Sequence, residues 1–142
     1  MDHRRSACSG LRYVRISVSA KTQACRRGCL LTAQNLAGKK CQACLPGTPA
    51  LSADESAKLA AELDSSWARE SNSQIERVLE FTDFAGAFAF ATRVALLAEQ
   101  EGHHPDLQIG WGSLRIRLKT HVANGLTEND FIMAAKIDQL AV

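Results

Sequence analysis

Three stretches of this chain alternate apolar and polar residues with a period of two, and three others carry apolar residues at helical spacing. Leu114, Ile116 and Leu118 alternate with Arg115, Arg117 and Lys119, which predicts a strand with one buried and one solvated face. Ile75 to Phe81 alternates in the same way, with Ile75, Arg77, Leu79 and Phe81 on one side. Trp67 to Glu70 reads as a short partner strand across the turn Ser71-Asn72-Ser73. Leu107, Ile109 and Trp111 give a further alternating strand, with Gly110 and Gly112 suited to a tight reversal and Trp111 expected in the core.

The helical stretches carry clear start and stop signals. Ser52 and Glu55 form a capping box ahead of Leu59, Ala60 and Leu63. Asp83 is an N-cap for a helix over about 84–101, whose stripes are Phe84, Phe88, Ala91, Ala95, Ala98 and Ala87, Phe90, Val94, Leu97. That apolar arc is wider than one sheet face needs, so the helix is either deeply buried or also covers a subunit contact. Gly102 ends it, and Pro105 pushes His104 toward an extended conformation. Gly125 marks a loop, and Thr127 with Asp130 opens a last helix carrying Phe131, Ala134, Ala135 and Ile137. The order α-β-β-α-β-β-α predicts an α+β two-layer sandwich: a four-stranded antiparallel sheet with three helices on one face.

Composition narrows the picture. With 142 residues, one domain is expected, and the longest apolar run, Phe84 to Ala98, is broken by Thr92 and Arg93, which leaves no candidate membrane span. The net charge of +2 conceals an asymmetry. Residues 1–40 hold nine Lys or Arg against Asp2 alone, and the remainder holds eight basic against fourteen acidic groups. The acidic remainder argues against phosphate-backbone binding by the folded part. Residues 1–38 show no sustained period and read as a disordered basic extension; residues 39–142 read as the domain. The extension is taken as a solvated tail, with a faint likeness to an organelle transit peptide as the alternative to a cytoplasmic protein. Five cysteines (Cys8, Cys25, Cys29, Cys41, Cys44) without a signal segment do not make a secreted disulfide framework. Cys41 and Cys44 read as free thiols in preference to half of a zinc site, which would need four ligands.

Three of the four histidines, His103, His104 and His121, lie late in the chain, and imidazole is the side chain suited to proton transfer at neutral pH. An adjacent His-His pair alone is more often a solvated turn. The spacing Glu99-x3-His103-His104-Pro105-x5-Trp111-x9-His121-x8-Asp130 changes that balance. It resembles the signature of the pterin-4a-carbinolamine dehydratases at every defined position. Phe81-Thr82-Asp83-Phe84, Thr92-Arg93-Val94-Ala95-Leu96, Thr120-His121, Gly125-Leu126-Thr127, Trp67 and the run Lys39 to Cys44 extend the likeness over residues 39–142.

The resemblance implies loss of water from a 4a-hydroxytetrahydropterin to give the quinonoid dihydropterin. No electrons move, so neither a redox cofactor nor a metal is expected; the pterin is the substrate. By resemblance His103, His104 and His121 are catalytic, with His104 the principal acid/base because Pro105 fixes its backbone. Substrate contacts would fall on His103, His104, Pro105, Thr120, His121, Val122 and Ala123, with Trp67 stacking near the ring. Asp130 reads equally as an N3 capping acid and as the group holding a histidine tautomer. Glu99 reads as a surface acid near the pocket. The family further implies a homodimer or homotetramer and a functional link to an aromatic amino-acid hydroxylase; the apolar runs and the charge of the domain predict no membrane or direct nucleic-acid partner for it. The alternative function is a non-catalytic dimerisation, assembly or coactivator protein on the same fold.

Overall fold

The computed structural model describes residues 35–141, in which the periodic stretches become α1 (Ala53–Ala60), β1 (Ala68–Glu70), β2 (Gln74–Glu80), α2 (Phe84–Glu101), β3 (Asp106–Ile109), β4 (Ser113–Leu118), a 3-10 turn (His121–Ala123) and α3 (Glu128–Leu140). The four strands form one antiparallel sheet in the order β1-β2-β4-β3. The fold class is therefore the expected α+β sandwich. Leu114, Ile116 and Leu118 of central strand β4 are all fully buried against the helices, together with Ile75 of β2. The opposite face is charged: Glu76 of β2 pairs with Arg115 and, at 2.7 Å, with Arg117 of β4.

Local chemistry sets the helix ends. Ser52 Oγ accepts from the Glu55 N–H, and Glu55 Oε2 accepts from the Ser52 N–H at 2.9 Å, which completes the capping box of α1. Asp83 Oδ1 accepts from the Gly86 N–H at 2.7 Å at the start of α2. Gly102 closes α2 in the left-handed region, φ 65°, where glycine carries no Cβ penalty.

Ala87, Phe90, Ala91, Val94 and Ala98 of α2 are buried on the sheet side, whereas Phe84, Phe88 and Leu96 are exposed. The wide apolar arc is thus only half covered within one chain. Helix α3 is buried almost all round, Phe131 to Ala135 and Ile137 included, because it lies against α1, α2 and β4.

Two expectations are corrected. Trp111 is not core but 75% exposed. β3 ends at Ile109, the Gly110 N–H bonds Ser113 O at 2.7 Å, and the hairpin reversal carries Trp111 out of the alternation. The packed unit also starts before Lys39, since Leu36 and Ala37 are buried in the main core. The rest of the expected basic extension, with Cys8, Cys25 and Cys29, lies outside the described residues. Among the described residues no helix is long and apolar enough to cross a membrane.

Candidate active site

Antiparallel pairing brings the histidine segments to one end of the sheet. Asp106 at the start of β3 faces Arg117 near the end of β4, so the chain entering β3 and the chain leaving β4 emerge side by side. His103, His104 and Pro105 precede β3; Thr120 and the His121–Ala123 turn follow β4. The left-handed turn at Gly102 also folds His103 back, and its N–H bonds Ala98 O at 3.2 Å. Across the gap, a bridge between Thr120 and Gly125, with Asn124 left-handed at φ 51°, closes the loop that carries His121.

The first turn of α3 joins the two segments. Asp130 is fully buried, and its Oδ1 lies 2.7 Å from Nε2 of buried His103. Its other oxygen, Oδ2, accepts from the Thr127 N–H at 2.8 Å and from the Thr120 hydroxyl at 2.9 Å. Thr127 Oγ1 in turn lies 2.8 Å from Thr120 Oγ1. The cap and the histidine anchor, left as alternatives by the spacing, are thus both present, one on each carboxylate oxygen. A carboxylate only accepts hydrogen bonds, so the His103 nitrogen facing it carries the hydrogen, which in the neutral ring leaves Nδ1 as the acceptor.

His104 stands apart from this buried network. Its Nε2 lies 3.0 Å from Glu99 Oε1, with side chains 60% and 75% exposed. A contact this open adds little stability but restricts the ring. His121 and Val122 are exposed, Ala123 and Pro105 are half-buried, and Thr120 is buried. The site therefore combines one fixed imidazole with two solvent-facing ones.

Trp67 is not drawn into this group. Its indole N–H donates to Asp138 Oδ1 at 2.7 Å, and Asp138 lies roughly 12 Å beyond Asp130 along the α3 axis. Arg77 binds the same carboxylate, and burial raises the Asp138 pKa despite both partners. The spacing of the chain gives no sign of this anchor.

Sequence reasoning placed Glu99 near the pocket without assigning it to His104, and it missed Glu101 and Lys136 behind the His103–Asp130 pair. Glu101 Oε2 accepts from the Cys41 N–H at 3.1 Å, and Glu101 Oε1 from Lys136 Nζ at 2.6 Å. Burial raises the pKa of this carboxylate, but those donors outweigh it and hold it below the usual range. Cys41 is buried, and desolvation followed by the Glu101 charge pushes its thiol up to about 12. Such a thiol stays protonated and inert. Among the described residues no group of three or more His, Cys, Asp or Glu is arranged to hold a metal ion.

Residues 49–140 match the family model described as pterin 4 alpha carbinolamine dehydratase. A provisionally named pterin-4-alpha-carbinolamine dehydratase of Methylococcus capsulatus is 44% identical over 111 residues, covering 78% of this chain and 97% of its own. One from Rickettsia bellii, also provisionally named, is 45% identical over 106 residues, 75% of this chain and 94% of its own. Among solved structures, a transcriptional coactivator/pterin dehydratase from Brucella melitensis superposes with a TM-score of 0.60 at 34% identity, covering 65% of this chain and 98% of that one.

Proposed function

The chain belongs to the pterin-4a-carbinolamine dehydratase family, and from that premise we propose that it removes water from a 4a-hydroxytetrahydropterin by histidine acid/base catalysis. The observation that carries the reading is the buried His103–Asp130 pair placed beside His104 and His121 at one end of the sheet. In the reaction the C4a–O bond breaks, the N5–H proton leaves, and a C4a=N5 double bond forms. Water departs, and no electrons are exchanged with any other molecule. Hydroxide leaves poorly, so one group must protonate it while another accepts the N5 proton. Each such transfer contributes about 10²–10⁴ in rate.

His104 is the principal acid/base. Its exposure leaves the ring free to meet substrate, while Pro105 and Glu99 restrict it. His121, facing solvent across the same end, is the second proton-transfer group. His103, held by Asp130, orients the heterocycle and offers Nδ1 toward it. Pro105, Thr120, Val122 and Ala123 form the walls. The product feeds the cofactor cycle of an aromatic amino-acid hydroxylase in the cytoplasm. Stopped-flow ultraviolet absorbance tests the assignment. The protein is expected to accelerate decay of a 4a-hydroxytetrahydropterin at neutral pH at least ~100-fold over buffer. Decay at the buffer rate would refute it.

The same reading includes a homo-oligomer. Phe84 and Phe88 stack on each other, rings 6.0 Å apart, on the uncovered side of α2, and Leu96 continues the stripe. An apolar strip of this kind favours burial against a second copy. Light scattering is expected to give a dimer or tetramer, and a Phe84→Asp/Phe88→Asp double variant a smaller species. A wild-type monomer at micromolar concentration would rule this out.

A further inference from the structure

The two elements that carry the His103–Asp130 pair are tied together by a third segment that hydrogen-bonds to neither residue. Glu101 occupies the last turn of α2, just before His103; Asn129 occupies the first turn of α3, next to Asp130. The loop at Cys41 and Gln42 reaches both. The Cys41 N–H donates to Glu101 Oε2 at 3.1 Å, and the Gln42 N–H donates to Asn129 Oδ1 at 2.9 Å. The Asn129 amide returns two bonds, to Gln42 O at 2.6 Å and to Cys44 Sγ at 3.1 Å. The Cys41 thiol points at Asn129 O, 3.8 Å away.

Successive N–H groups of one loop segment are therefore forked between the two helix ends. Asn129 is 6% exposed and Cys41 9%, so the fork is part-buried, with its Gln42 side at the surface. An exposed pair, Lys39 Nζ with Glu128 Oε1 at 2.6 Å, borders the fork without taking part in it. The separation of the α2 C-terminus from the α3 N-terminus sets the distance between His103 and Asp130. A carboxylate–imidazole contact is steep in that distance.

We propose that the Cys41–Cys44 segment is a positioning clamp, in which Asn129 and Glu101 act as positioning residues that hold α2 and α3 at the spacing the His103–Asp130 pair requires. This rests on the dehydratase reading for its catalytic consequence but not for its structural one. The Cys-x-x-Cys motif then has a role needing neither metal nor disulfide: Cys41 seals the fork as a protonated, buried thiol, and Cys44 accepts from the Asn129 amide.

Proton NMR of the whole chain tests the clamp through the His103 Nε2–H, whose exchange with water reports the closeness of Asp130. Asn129→Ala removes all three side-chain bonds and is expected to speed that exchange about tenfold. It should lower kcat for dehydration by about tenfold with KM little changed, as small displacements of reacting groups do. Lys39→Ala should alter neither. Should Asn129→Ala fail to fold, the wild type decides: slow exchange of the Cys41 and Gln42 amides supports the clamp, and exchange as fast as in a free peptide overturns it. A folded Asn129→Ala protein with unchanged His103 exchange also overturns it. Failure of the wild type to dehydrate substrate refutes the catalytic reading alone and leaves the exchange measurement to judge the clamp.

Discussion

Asp130→Asn is expected to lower the dehydration rate by about 10²–10⁴ while the protein still folds. The reason is a conflict of donors. The asparagine oxygen can still accept from the Thr127 N–H and cap α3, as Asp130 Oδ2 does now. The amide nitrogen must then occupy the position of Oδ1 and point N–H at His103 Nε2, which lies at 2.7 Å in the wild type. Two donors cannot face each other there, so the imidazole either rotates away or shifts its hydrogen to Nδ1. Either outcome removes the acceptor that His103 offers the substrate. Asp130→Ala differs because it also strands the Thr127 N–H and the His103 Nε2–H in a dry site. Its stability is expected to fall by about 3 kcal/mol, from a lost cap and unsatisfied buried donors. Urea unfolding separates the two variants. An Asp130→Asn enzyme within threefold of wild-type rate would show that the buried carboxylate is only a cap.

The fork in Asp130's role explains why the sequence left it open. A Thr-x-x-Asp spacing specifies a helix cap, and a His-rich neighbour specifies an anchor, but one carboxylate has two oxygens that point different ways. Only the folded chain shows one on each task. Elements with long periodic patterns were legible to within a residue: α2 runs over 84–101 as its stripes and caps require, and β4 follows its Leu-Ile-Leu alternation. β2 ends one residue earlier than its alternation suggests, although the Phe81 N–H still donates to Gly112 O at 2.8 Å in register with β4. A Cβ at Gly112 would lie 2.9 Å from the Phe81 carbonyl oxygen, so the glycine is needed for this close approach of the two backbones.

Other features were illegible for physical reasons. The alternation Leu107, Ile109, Trp111 continues on paper past the point where the strand stops, and a turn residue inherits no face. Leu36, Cys41 and Trp67 owe their positions to partners far away in the chain, Asn129 and Asp138 for the last two. Contacts of that range leave no period behind. The spacing of Glu99, His103, His104, His121 and Asp130 was visible, but not that Asp130 binds His103 while Glu99 binds His104.

That division into a buried and an exposed imidazole gives His104→Ala a distinctive signature. His104 is 60% exposed and its contact with Glu99 is equally open, so its removal should change stability by less than about 0.5 kcal/mol. Its loss should nevertheless slow dehydration by about 10²–10⁴, the contribution of a positioned acid or base. Glu99→Gln keeps an acceptor near the ring and should cost less than tenfold. Because the truncated side chain opens onto solvent, added imidazole is expected to restore part of the His104→Ala rate. A defect of folding or oligomerisation would show no such rescue. His103→Ala should behave otherwise: it leaves Asp130 without its partner in a buried site, so stability and activity fall together and imidazole has no open path to the vacancy. If His104→Ala dehydrates substrate at the wild-type rate, the proton must travel through His121 alone, and the acid/base assignment to His104 fails.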